Sequence, residues 1–98
     1  MRFIINGMKY DTEKMEKISN VKKWYETTNV LLRQVCENDI GSEYICELWK
    51  SSKGNWLLTH EQDYSTRGEA IEEEEAKKLL MKHNPDKFEK LFEEIPDA

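Results

Sequence analysis

The chain has 98 residues, of which 36% are charged and 38% hydrophobic, with a formal net charge of −5. That length suits one compact domain with a modest core, and residues 1–98 read as a single unit. The acidic balance argues against general nucleic-acid binding through phosphates. No run reaches the roughly 20 apolar residues of a membrane span, and the opening apolar run is too short for a signal peptide, so a cytoplasmic protein is expected.

Arg2-Phe3-Ile4-Ile5 reads as a strand, and Asn6-Gly7 is the strongest two-residue hairpin signal, with Met8-Lys9-Tyr10 returning. Asp11 and Thr12 can cap a helix, Glu13 and Glu16 suit its first turns, and Met15 and Ile18 share a face at i, i+3. A short helix over about 12–19 is therefore expected. Residues 20–29 are ambiguous, with Trp24 and Tyr25 expected to anchor them to the core. Strands are expected over 30–37, 43–50 and 55–61, the last two joined by Ser51-Ser52-Lys53-Gly54 with glycine in the left-handed position. These three strands would form an antiparallel meander. Alternation puts Tyr44, Cys46 and Leu48 on one face and Ile45, Glu47 and Trp49 on the other. Large apolar groups thus occur on both faces, more than a sheet covered on one side can bury.

Residues 63–68 read as a polar loop and Ala70-Ile71 as a short extended piece. A helix is expected over 72–83, acidic at its start and lysine-rich at its end, as the helix dipole favours. Glu73–Lys77 and Glu74–Lys78 are i, i+4 pairs in the favourable order. Its inner stripe would be Ala76, Leu79, Leu80 and His83. Asn84-Pro85-Asp86 signals a second helix start, and Phe88, Leu91, Phe92 and Ile95 follow at helical spacing. The fold class is α+β: an N-terminal β-hairpin, a short helix, a three-stranded antiparallel meander and a C-terminal helical pair.

The charge is uneven. Residues 1–60 carry nine basic and eight acidic side chains, and residues 61–98 carry six and twelve. Glu72-Glu73-Glu74-Glu75 admits two readings, a solvated helix start or an acidic surface for a basic groove. Glu69, Glu72, Glu73 and Glu74 with Asp86, Glu89, Glu93 and Glu94 could form one patch if the helices lie side by side. Trp49, near the meander turn, would be a contact hot spot on an uncovered sheet face. Trp49 and Trp56 flank the turn as cross-strand neighbours or nearly so.

The remaining chemistry is sparse. Cys36, Cys46 and His60 match no metal-site spacing, and without an export signal the two cysteines are expected as buried thiols. There is no Ser/His/Asp set, glycine-rich phosphate loop or HExxH. No catalytic residue, metal or cofactor is assigned, and the protein is expected not to be an enzyme.

Ile4-Ile5-Asn6-Gly7-Met8-Lys9-Tyr10-Asp11-Thr12-Glu13 resembles the I-I-N-G-K-x-Y-D-T-E opening of small proteins of bacterial, mainly Firmicute, phages and conjugative elements. Glu47-Leu48-Trp49-Lys50-Ser51-Ser52-Lys53-Gly54-Asn55-Trp56-Leu57-Leu58 is similar to their E-L-Y-x-T-x-x-G-N-W/Y-F-L hairpin. Ala70-Ile71 with Glu74-Glu75-Ala76-Lys77-Lys78-Leu79-Leu80 looks like their I-x-P-L-S-x-E-E-A-x-x-W-L segment. Gln62-Asp63-Tyr64-Ser65 departs from the glycine-rich loop that follows the hairpin in that family, and the middle of the chain carries no resemblance.

The resemblance implies a mobile-element context, in which small acidic proteins without catalytic motifs are often inhibitors of host defence, anti-CRISPR proteins foremost. The expected function is therefore a protein-binding inhibitor in the host cytoplasm. It would act sterically on a host protein such as a CRISPR effector, through the acidic C-terminal face. The alternative is a non-catalytic regulatory or structural interaction module of the element, with homodimerisation through the sheet face.

Overall fold

A computed structural model describes residues 1–26, 41–62 and 64–98. It is α+β: a two-stranded sheet, a four-stranded antiparallel sheet and two C-terminal helices. The strand expected over 30–37, most of the turn before Gly41, and Cys36 lie outside the described residues.

β1 (Arg2–Ile5) and β2 (Met8–Asp11) form the expected hairpin, with Ile5 opposite Met8. Asn6 at φ 51° and Gly7 at φ 76° both take the left-handed conformation that this two-residue turn requires.

The expected helix over 12–19 shrinks to one 3-10 turn, Thr12–Lys14. Asp11 does cap it, accepting the Glu13 N–H at 3.1 Å. The chain then enters β3 (Glu16–Glu26), which pairs with β4 (Gly41–Lys50). The helical reading failed because of a bulge. Lys17 faces Trp49 and Ser19 faces Leu48, so Ile18 is the extra residue. A bulge breaks the two-residue period, and Ile18 and Val21 both reach the core three positions apart, as in a helix.

β5 (Trp56–Gln62) pairs with β4 and with β6 (Ser65–Ile71), giving the order β3-β4-β5-β6. The β4–β5 turn closes with the Ser51 N–H donating to the Asn55 carbonyl at 2.8 Å and the Asn55 N–H donating to Ser51 Oγ at 3.0 Å, and Gly54 takes φ 86° as its position demands. The stretch expected as a polar loop over 63–68 is instead largely strand. Tyr64 turns the chain at φ 63°, and Gln62 pairs with Ser65. A glycine and polar side chains disguise β6.

Gly68 has a structural reason. A Cβ placed there would stand 2.7 Å from two ring atoms of Phe3 in β1. The glycine thus lets the hairpin lie close on the sheet. Gly68→Ala is expected to lower stability by about 1–2 kcal/mol through overpacking. Amide exchange should then accelerate in β1 and β2 more than in β4; equal protection would show that the hairpin does not rest on Gly68.

α1 (Glu73–His83) and α2 (Pro85–Leu91) cover the other face. Asn84 caps α2 by accepting the Lys87 N–H at 3.3 Å, and its Nδ2 donates to Ser19 Oγ at 3.0 Å, fixing the corner to β3. The expected apolar stripe ends its helix at Leu91, although Leu91, Phe92 and Ile95 still pack on the core. Glu93 and Glu94 would face the negative end of the dipole, and Pro96 disfavours helix in the residue before it.

The core between helices and sheet holds Val21, Cys46, Leu48, Trp56, Leu58, Ala76, Leu80 and Phe88. Trp49 pairs with Leu57, and Lys50 with Trp56. The two tryptophans therefore point to opposite faces of the sheet. Leu57 is fully buried on the second face, where the hairpin lies. Hairpin, sheet and helices thus form three layers that bury apolar groups on both faces of the sheet, although Ile45 and Trp24 stay exposed on the hairpin side.

Candidate protein-binding surfaces

At the helix-covered face, Lys23 ties the start of α1 to the sheet. Its ammonium donates to Glu69 at 3.1 and 3.2 Å and to Glu75 at 3.0 Å. Burial works against the charged lysine, but hydrogen bonds to Glu75 and Glu69 outweigh it and raise its pKa. Tyr25 donates its hydroxyl to the same Glu69 at 3.0 Å and stacks on His60 at 4.3 Å between ring centres. Burial, then the neighbouring Cys46 and Glu69, push the Tyr25 phenol far up. Cys46 is fully buried, and burial raises its thiol above the ordinary value although the neighbouring Tyr25 and Lys23 act in the other direction. A protonated, inaccessible thiol is a packing group rather than a nucleophile. Among the described residues no three His, Cys, Asp or Glu side chains converge to hold a metal ion. Of the two residues expected to anchor this strand, Tyr25 packs on the core and Trp24 is 46% exposed.

The acids expected as one patch occupy separate places. Glu69 is engaged by Lys23 and Tyr25. Glu72 is the N-cap residue of α1 without a side-chain capping bond, and Glu73 and Glu74 follow in the first turn. All three are exposed, and their side chains make no hydrogen bond or ion pair among the described residues. Asp86 lies in the first turn of α2, past the far end of the 11-residue α1. At 1.5 Å per residue that helix separates it from Glu73 by roughly 16 Å. Glu89 accepts the Ile95 N–H at 3.4 Å, and Glu93 is exposed beyond α2.

The expected Glu73–Lys77 and Glu74–Lys78 pairs do not form. Lys77 instead lies over the Phe92 ring at 4.9 Å. An exposed ion pair is worth little, and packing the lysine stem on an aromatic competes with it.

Trp49 stands on the opposite face of the sheet from both helices. It is half-buried, and its indole N–H donates to Thr59 Oγ1 at 3.0 Å. Around it is a feature that the sequence did not reveal, a cleft of about 530 Å3 between hairpin and sheet. Phe3, Ile45 and Trp49 line it together with Glu43, Glu47 and Glu61. Ile45 is 69% exposed. The alternation in β4 was legible, but the hairpin that makes a wall of this cleft comes from the other end of the sequence.

The fold and its surfaces define an α+β protein with a four-stranded antiparallel sheet between a hairpin and a helical pair. Comparison with protein-family models, curated proteins and solved structures finds no match to the chain. No helix among the described residues is long and apolar enough to cross a membrane.

Proposed function

We propose that this protein is a non-catalytic, protein-binding inhibitor that blocks a nucleic-acid-handling host protein, such as a CRISPR effector, through acidic charge displayed at the start of α1. The observation that carries this reading is the contrast within one short segment. Lys23 neutralises Glu69 and Glu75, while Glu72, Glu73 and Glu74 between them stand exposed without a partner among the described residues. Three unpaired carboxylates on a rigid helix end suit a groove that evolved to hold phosphates. The sequence resemblance to small proteins of mobile elements supports the same context.

The test is E72Q/E73Q/E74Q. The tagged protein should recover one stoichiometric, nucleic-acid-handling partner from lysates of hosts with defence systems, displaced by salt or DNA. The triple variant should fold normally and bind at least about tenfold more weakly, because removing charges from a contact rim slows association. Undiminished capture by the folded variant would move the contact off α1.

A second reading, a regulatory or structural interaction module, is favoured by the exposure of Ile45 and Trp24 on the hairpin-side face of the sheet. It requires self-association that persists in E72Q/E73Q/E74Q, which sedimentation velocity would reveal.

A further inference from the structure

We infer that a second copy of this chain docks on the free edge of β6, antiparallel and centred on Gly68, and so joins two four-stranded sheets into one. β6 ends the order β3-β4-β5-β6, and among the described residues no strand pairs with its outer edge. Such an edge presents a row of N–H and C=O groups ready to pair with another strand. The two terminal strands differ in how they guard against this. β3 carries the bulge at Ile18 and the lysines Lys17, Lys22 and Lys23, features that discourage edge pairing. β6 pairs with β5 in unbroken register and carries no proline, lysine or bulge.

Hydrogen-bond alternation and charge together fix the register. Gln62 and Ser65 close the two-residue turn as a hydrogen-bonded pair, so alternation turns the N–H and C=O groups of Thr66, Gly68 and Ala70 away from β5. A two-fold axis at Gly68 lets it exchange both backbone bonds with Gly68 of the partner subunit, and Thr66 with Ala70 of the partner subunit. The same axis sets Arg67 opposite Glu69 of the partner subunit, and Glu69 opposite Arg67 of the partner subunit. These are non-hydrogen-bonded positions, where Cα atoms stand about 4.5 Å apart and side chains meet most closely. The edge is self-complementary, as an isologous contact requires. Arg67 is exposed. Glu69 shares the Lys23 ammonium with Glu75, and both acidic side chains stay 42% exposed, so an incoming guanidinium meets acidic charge. The charge order selects a second copy over an unrelated strand, because an Arg and a Glu two positions apart are needed and β6 itself supplies them. This edge is distinct from the sheet face that exposes Ile45 and Trp24.

The test is sedimentation velocity of the whole chain from about 1 µM to 1 mM, the range suited to a small interface. A reversible monomer–dimer equilibrium is expected. Amide exchange at Thr66, Gly68 and Ala70 should slow as concentration rises, because the second strand supplies their acceptors. Thr66→Pro deletes an edge-facing N–H without removing a bond to β5, and Arg67→Glu sets like charges opposite each other. Each should weaken dimerisation at least about tenfold. The Trp56 indole signal, from the core, reports whether each variant is folded, and should Thr66→Pro fail to fold, Arg67→Glu decides. Ile45→Lys, on the sheet face, should dimerise like the unaltered chain. A monomer at every concentration, edge amides whose exchange ignores concentration, or undiminished dimers in a folded Thr66→Pro or Arg67→Glu variant would each overturn the proposal. Loss of the dimer in Ile45→Lys alone would overturn it too, by placing the contact on the sheet face.

Discussion

Replacing Trp56 with Ala is expected to cost about 3–5 kcal/mol and to lower the melting temperature by roughly 15–30 °C. Trp56 is among the largest fully enclosed side chains, 2% exposed, and it joins the sheet to both helices. Its ring lies 6.1 Å from that of Phe92, and Lys50 Nζ stands 5.4 Å above it. Truncation removes the largest contact surface in the core and leaves a cavity between elements that cannot all collapse into it. A domain of this size has on the order of 5–15 kcal/mol in total, so the variant stands close to unfolding. Trp56→Phe separates the sources of the loss. The indole N–H of Trp56 is buried without a hydrogen-bond partner among the described residues. An unsatisfied buried donor is costly, and phenylalanine removes it while keeping an aromatic ring in place. Trp56→Phe should therefore lose about 1 kcal/mol or less. Urea unfolding followed by circular dichroism would measure both. Equal losses for Phe and Ala would mean that the cavity does not set the cost.

Lys23→Met is expected to destabilise the protein by about 1.5–3 kcal/mol at pH 7, since charge-assisted hydrogen bonds to both carboxylates vanish together. Methionine keeps the packing of the stem. The loss stays below that of a fully buried pair because the Glu69 and Glu75 side chains are each 42% exposed and gain water in exchange.

The pH dependence gives a second readout. Lys23, Tyr25 and Cys46 have pKa values raised above their ordinary values of 10.5, 10.0 and 9.0. Each therefore holds its proton more tightly folded than unfolded. Its stabilisation is complete below the ordinary value and is lost as pH climbs toward the folded-state value. Stability should be flat near neutrality and fall from about pH 9 upward. Lys23→Met should start lower and fall less steeply, because one of the three linked protons is gone. A stability that rises with alkaline pH would contradict the whole cluster.

Much of the fold was legible where local chemistry acts alone. Asn6-Gly7 has one low-energy use between apolar runs, and the β4–β5 turn carries its own glycine. Asn84-Pro85 announces a helix start through a cap and a fixed φ. Alternation in β4 correctly separated Cys46 and Leu48, which are buried, from Ile45 and Glu47, which are exposed. Misreadings arose where a partner distant in sequence sets the local rule. The bulge at Ile18 mimics helical spacing, and it exists to match β3 to β4. Gly68 looked like a loop residue because the reason for it, Phe3, lies 65 positions away.

The candidate sites divide the same way. The exposed acids at the start of α1 were readable, because a run of four glutamates on one helix cannot all turn inward. That Lys23 would withdraw Glu69 and Glu75 from that surface was not, because an ion pair across 46 or 52 positions leaves no local trace.

By itself, the amino-acid sequence determined the α+β class, the turns, the two C-terminal helices and the acidity of the last third, all of which follow from neighbours within a few residues. Tertiary structure alone decided which glutamates remain free, which face Trp49 takes, and that the hairpin closes a cleft against the sheet. Those outcomes depend on long-range register and layer packing, where burial outweighs local preference and the burying surface is brought from elsewhere in the chain.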